Sequence, residues 1–231
     1  MRRTTSVALP LTGTTCPISR QFPFMSAVVR DEERPIPAAD ILFLGSPGVG
    51  KTTFLSRLEH VRNGKLDLSA PSRPVVVPPL AFDVTLFNRP YRFRIHPSTS
   101  TLFIDAFPAK PAFTIIAFSI SSRESLHNAQ YYWRKQLSMH YDELEHEMPV
   151  MLLGLKRDER TEDRLEDGTF ESVMPQEGLR AAQEMRCDRY AECSAVTGEL
   201  MWEVLEDITR TAARTTTENG GLSQQGDCCV M

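Results

Sequence analysis

The 231-residue sequence predicts an α/β fold, a mixed and mainly parallel sheet of about six strands with helices on both faces. Three observations carry that prediction. Short apolar runs recur along the chain, as strands buried on both faces require. Amphipathic helical spacings lie between them. One glycine-rich turn stands between such a strand and such a helix, a place where α/β sheets bind ligands.

In chain order, residues 1–38 differ from the rest. They are rich in Ser, Thr, Pro and Arg, with no acid before Asp31. An organelle transit peptide has that composition, and so has a disordered extension. No amphipathic helical pattern appears, which favours the extension, and Met25 offers an alternative start. The globular pattern begins near Asp40 and extends over residues 39–213. Ile41 to Leu44 is a buried strand closed by Gly45. A helix follows from about Lys51, with Phe54, Leu55, Leu58 and Val61 on one face. Residues 63–80 carry Gly, Ser and several prolines, among them Pro78 and Pro79, and read as a long loop. Ala81 to Ile95 and Thr101 to Asp105 read as two strands joined at His96-Pro97-Ser98, forming one antiparallel edge hairpin.

Ala112 to Ile120 is another buried strand. The helix after Ser122 carries Leu126, Ala129, Trp133 and Leu137 on one face, and Met148 to Leu155 is a further strand. Pro175 starts a helix, where its missing N–H is harmless, and Leu179, Ala182 and Met185 line that helix. Ala191 to Cys193 is a short last strand. The final helix presents Leu200, Met201, Val204, Leu205 and Ile208. Residues 214–231 form a polar, flexible tail.

Composition removes several function classes. Lys and Arg number 26 against 30 Asp and Glu, net −4, so no basic nucleic-acid surface is expected. The most apolar stretch, Phe113 to Ile120, is far too short to span a bilayer. Five cysteines at irregular spacing form neither a disulfide framework nor a zinc pattern, which points to a reducing compartment. His140 and His146 are six residues apart, on opposite faces of a helix, and form no zinc pair.

The strongest chemical signal is Gly45-Ser46-Pro47-Gly48-Val49-Gly50-Lys51-Thr52. It matches the P-loop pattern at every fixed position, in the strand–turn–helix context that such a loop needs. Backbone N–H groups curl around phosphates there, and the helix N-terminus adds partial positive charge. Lys51 neutralises the outer phosphates, and the Thr52 hydroxyl is a ligand for Mg²⁺. Thr53 follows in the first helical turn. Leu155-Lys156-Arg157-Asp158 closes a buried strand at its carboxyl end. A carboxylate there accepts two hydrogen bonds from the edge of guanine, a donor pair that adenine lacks. Glu192-Cys193-Ser194-Ala195 follows the last strand, where a backbone N–H meets the base carbonyl. The candidate nucleotide-binding set is therefore Gly45 to Thr53 with Lys156, Asp158, Ser194 and Ala195, and Lys51 and Thr52 act on the phosphates.

With these residues the chain resembles the Ras superfamily of small GTPases, and within it the Rho branch, over about residues 38–213 and the last four. Phe118-Ser119-Ile120, Trp133, Met148-Pro149-Val150, the 155–158 stretch and Pro175-Gln176-Glu177-Gly178 look like the Rho pattern. So does Glu192 to Ala195, and Glu159 to Met174 resembles the Rho-specific insert. The resemblance implies a P-loop small G domain that binds GTP and GDP with Mg²⁺ and acts as a monomeric signalling switch. It implies effectors, exchange factors and GTPase-activating proteins as partners. It also implies a Mg²⁺ set of Thr52, Thr85 from the first switch and Asp105 from the second. The runner-up is a pseudo-GTPase scaffold that does not cycle. An ATP-using P-loop enzyme is disfavoured by Asp158 and by the lack of a Walker-B-like acid pair after a strand.

The departures are as informative. Leu155 stands where the family has Asn or Thr, a polar side chain that ties the base loop to the P-loop. Pro47 replaces a glycine of the Rho P-loop. Thr85 lies about fifteen residues further from the P-loop than the family's first-switch threonine. Asp105-Ala106-Phe107-Pro108-Ala109 matches Asp-x-x-Gly-Gln with the glycine and glutamine lost. Proline has no N–H to sense the γ-phosphate, and alanine cannot orient the attacking water. About a dozen further switch residues are absent before Phe113, from real loss or from a segment dropped out of the gene model. Cys228-Cys229-Val230-Met231 is a C-a-a-X ending that predicts farnesyl on Cys228, and with it the cytoplasmic face of a membrane plus a cytosolic pool. The usual polybasic second anchor is missing from the tail.

Overall fold

The protein is described by a computed structural model. The residues it describes are 36–58, 61–62, 65–66, 79–86, 89–100, 104, 107, 110–141, 148–163 and 171–216. All lie in one unit that begins at Ile36.

Apolar runs become central strands here because both faces of the sheet are covered. In chain order the elements are β1 (Ala38–Gly45), α1 (Lys51–Leu58), β2 (Val61–Arg62), β3 (Lys65–Leu66), β4 (Leu80–Leu86), β5 (Arg89–Ser98) and β6 (Phe113–Ser119). Then come α2 (Arg123–Asn128), a π-turn (Ala129–Trp133), α3 (Arg134–Tyr141), β7 (Val150–Leu155), α4 (Pro175–Glu184), β8 (Arg189–Glu192) and α5 (Met201–Thr215). The six-stranded sheet runs β4-β5-β1-β6-β7-β8. Within this sheet only the β4–β5 pair is antiparallel, β4 lies at one edge, and the expected architecture is met.

Alternation along β1 feeds two cores. Ile41 and Phe43 pack with Phe54, Leu55 and Leu58 of α1 and with Val204, Leu205 and Ile208 of α5. Leu42 and Leu44 face Leu126, Trp133, Leu137 and Ala182 on the other side. The Ser122 hydroxyl caps α2 by accepting from the Ser125 N–H at 3.2 Å, and Pro175 stands at the start of α4 as expected.

Several local expectations are corrected. Val61 is not on the α1 face but in a two-residue strand paired with β3. Asn63-Gly64, a favoured hairpin-turn sequence, separates the two strands. The supposed single strand Ala81–Ile95 is itself the hairpin, with Leu86 opposite Arg89 around Phe87 and Asn88. His96-Pro97-Ser98 is strand rather than turn. Pro97 pairs with Phe43 of β1 but lies beyond the last β4 pair, Leu80 with Ile95, so its missing N–H falls at an edge. Ile104 is helical, and the rest of the expected 101–105 strand is outside the described residues.

Leu179 is 48 % exposed, not buried. The packed face of α4 is Gly178, Ala181 and Ala182, because α4 lies directly on Tyr190: a Cβ at Gly178 would sit 1.9 Å from the Tyr190 Oη. Leu200 is the exposed residue before α5, with φ of 57°, so Met201 opens the buried stripe. Residues 1–35 and 217–231 lie outside the described residues, and so does Cys228.

Candidate nucleotide site

Strand ends determine where this site lies. β1 is flanked by β5 and β6, both parallel to it, and its carboxyl end passes into residues 46–50 and then α1. A Cβ at Gly45 would lie 2.6 Å from the Ala117 carbonyl oxygen, so only glycine lets the loop leave the sheet here. Val49 is 2 % exposed and anchors the loop in the core.

Lys51 is buried and folded back over the loop. Its ammonium donates to the carbonyls of Gly45 at 2.6 Å and Ser46 at 2.9 Å. Burial lowers its pKa from 10.5 to about 8. Thr52 and Thr53 are exposed in the first turn of α1. The Ser46 hydroxyl accepts from the Trp133 Nε1–H at 3.3 Å, so the π-turn reaches the P-loop.

The stretches expected to read the base stand beside this loop. Leu155 ends β7 and is buried against the P-loop: a Cβ on Gly50 would be 3.6 Å from both Leu155 Cβ and Lys156 Cγ. The missing polar tie is thus replaced by apolar contact. Lys156 has φ of 61°, and its stem lies over Gly50 while its ammonium is 3.5 Å from Glu159. Asp158 is exposed on the following 3₁₀ turn. The fully buried Ser194 hydroxyl donates to the Asp158 Oδ1 and accepts from the Thr197 N–H at 3.0 Å. Ser194 therefore orients the carboxylate. Ala195 is buried next to it, and the Arg157 N–H donates to the Cys193 carbonyl at 3.2 Å, joining the two stretches.

Two supports were not visible in the sequence. Arg57, 8 % exposed in the last turn of α1, donates to the carbonyls of Ala195 at 2.8 Å and Val196 at 3.1 Å. Glu192, also buried, accepts from Arg160 at 2.6 Å and from the Tyr190 hydroxyl at 2.5 Å. Burial, reinforced by Glu192, holds the Tyr190 pKa well above its ordinary value. Burial likewise raises the Cys193 thiol to about 12, which leaves it unreactive at neutral pH.

The expected Mg²⁺ set does not assemble among the described residues. Thr85 is paired with Pro90 near the hairpin turn, beyond the β5 residue that pairs with the first residue of β1, whereas Gly45 is at the last residue of β1. At about 3.3 Å per residue the two ends are roughly 25 Å apart. The β5 end beside the P-loop carries Ser98, whose hydroxyl donates to the Ser100 carbonyl at 2.8 Å. Asp105, Pro108 and Ala109 lie outside the described residues. Among the described residues of the expected set, Thr52 is the one beside the P-loop.

Comparison with known proteins matches residues 102–214 to the Ras family model. GTP-binding protein RHO2 of Saccharomyces cerevisiae is 29% identical over 124 residues, 53% of this chain and 60% of that protein. The chain resembles the Rho-type small GTPases of the Ras family. GTP-binding protein rho2 of Schizosaccharomyces pombe is 28% identical over 127 residues, 53% of this chain and 61% of that protein. GTP-binding protein RHO1 of Candida albicans is 34% identical over 104 residues, 43% of this chain and 50% of that protein. The chain thus spans half to three fifths of the length of these curated Rho relatives. The family model covers the base-reading stretches and begins after the P-loop, so the P-loop rests on its own motif and geometry.

Proposed function

We propose that the protein is a Rho-like guanine-nucleotide switch that binds GDP and GTP. The observation that supports this most is Lys51 folded onto the Gly45 and Ser46 carbonyls, with Asp158 and Ala195 held on stretches packed beside the same loop. On binding, the ammonium exchanges those carbonyls for the outer phosphate oxygens. The N–H groups at the start of α1 face the remaining phosphate charge. Asp158 accepts from the N1–H and 2-amino group of guanine, and the Ala195 N–H donates to the oxygen at position 6. The Thr52 hydroxyl, in the first turn of α1, would hold Mg²⁺, which would neutralise phosphate charge there.

Hydrolysis is slow in this reading. Pro108 supplies no N–H to the γ-phosphate, and Ala109 orients no water. Rho-type effectors, exchange factors and activating proteins are the partners, the protein acts as a monomer, and activating proteins stimulate it weakly. A prenyl group on Cys228 anchors it incompletely to the cytoplasmic face of a membrane, because one chain without a polybasic partner binds marginally. Exchange of Cys228→Ser should move the membrane fraction to the cytosol, and an unchanged fraction contradicts the anchor.

Binding is tested with a fluorescent GDP analogue on the full chain, with and without Mg²⁺. Lys51→Ala should abolish binding, and Asp158→Ala should erase the preference for guanine over adenine. Retention of both by the two variants contradicts the proposal.

A further inference from the structure

We infer that Arg57 is a positioning residue that sets base specificity: it holds the loop that reads the purine oxygen at position 6. The inference rests on the guanine-nucleotide reading above and adds a residue that the P-loop motif and base motifs do not contain. Arg57 ends α1, the helix that the P-loop opens, yet its guanidinium is buried rather than in solvent. It crosses to a loop 138 residues further along the chain. There Nε and Nη2 donate to two consecutive carbonyls, Ala195 and Val196, at 2.8 and 3.1 Å. A planar fork on consecutive carbonyls fixes the orientation of both peptides, which a single ammonium does not do. The gripped Ala195 carbonyl lies in the peptide next to the one whose N–H the proposed function assigns to the base, so Arg57 acts on that N–H through the Ala195 Cα.

Elsewhere the loop is tied to the 157–158 stretch, by the Ser194 hydroxyl on Asp158 and by Arg157 Nε on Glu199 at 3.1 Å, and it is closed by bonds of its own. The Ser194 N–H donates to Glu199 and the Gly198 N–H to Ser194, at 3.0 and 2.9 Å. These bonds shape the turn without attaching it to α1. Leu155 contributes only apolar contact to the P-loop, having no polar group to offer. Arg57 therefore supplies, from the last turn of α1, a polar connection to the 195–196 loop, separate from the tie between position 155 and the P-loop.

The test compares three ligands on the full chain by equilibrium titration. GDP carries the oxygen at position 6. 6-Thio-GDP has a weakly accepting sulfur there. Inosine diphosphate keeps the oxygen and lacks the 2-amino group that Asp158 reads. Arg57→Met should weaken GDP by about fivefold to tenfold, the loss of one hydrogen bond. The GDP to 6-thio-GDP ratio should fall toward one, and the GDP to inosine diphosphate ratio should stay as in wild type. Arg57→Lys should fall between. Equal weakening of all three ligands, or no change, overturns the inference. If Arg57→Met shows no thermal unfolding transition, Arg57→Lys decides: a fully retained 6-thio discrimination overturns the clamp. Absence of GDP binding in wild type overturns the nucleotide reading itself, and is distinguished by appearing before any substitution.

Discussion

Raising the pH should weaken nucleotide binding in a window that Lys51 defines. In the free protein its pKa is lowered by burial to about 8, from an ordinary 10.5. For a cation this sign means that the folded state releases its proton earlier than the unfolded chain. Below pH 8 the full penalty is present, and it fades as pH rises from 8 toward 10.5. That difference corresponds to roughly 3 kcal/mol against folding of the nucleotide-free protein at neutral pH. Phosphate oxygens replacing the carbonyls of Gly45 and Ser46 supply negative charge and return the pKa upward, so binding takes up a proton. From the free-protein value, uptake is about 0.1 proton at pH 7 and about 0.75 at pH 8.5. Calorimetry of GDP into nucleotide-free protein, in buffers of different ionisation enthalpy, measures it directly. The two pH values compared, 7 and 8.5, lie below the range where guanine loses its own N1 proton. Uptake indistinguishable at pH 7 and 8.5 refutes the reasoning and means that Lys51 keeps its charge in the empty loop.

Leu155→Asn should lower thermal stability by about 1–3 kcal/mol without raising GDP affinity, because it places an amide among apolar neighbours; a gain in affinity would reveal a polar partner there. Gly178→Ala should destabilise by about 1–3 kcal/mol as α4 is pushed off Tyr190, and a denaturant midpoint equal to wild type would mean that helix and strand stand further apart. A chain beginning at Arg34 should bind GDP as the full chain does, since the described unit starts at Ile36; loss of folding would show that the extension packs on it. Single-turnover assays on γ-labelled GTP should give slower hydrolysis than a Rho protein with an intact second switch, and brisk turnover would contradict the roles assigned to Pro108 and Ala109.

What was legible in the sequence follows from how local each constraint is. Phosphate binding needs glycines, a lysine and a hydroxyl within eight contiguous residues, so Gly45 to Thr52 stood out. Strands buried on both faces, such as Phe113–Ser119, need no alternation and read as continuous apolar runs. The β4–β5 turn did not stand out. The sequence between Leu86 and Arg89 has no glycine, and the one local mark is a phase shift: apolar residues alternate at even positions in Phe82, Val84 and Leu86 and at odd ones in Tyr91, Phe93 and Ile95, all on the same core. Thr85 enters the expected Mg²⁺ set through its resemblance to a first-switch threonine alone, and the pairing with Pro90 puts it at the end of β4 away from Gly45. Arg57 was hidden differently. On its helix it is an ordinary basic residue in the last turn, and its partners are known only once β8 is brought alongside β7. The same holds for Glu192 and Arg160, whose pairing depends on sheet register rather than spacing.

The central claim is tested most directly by titrating the purified full chain, freed of nucleotide, with GDP, GTP and ATP by calorimetry. The account predicts that GDP and GTP bind far more tightly than ATP, with one site per chain. ATP binding as tight as GTP, or no binding of any of the three below millimolar, would contradict it.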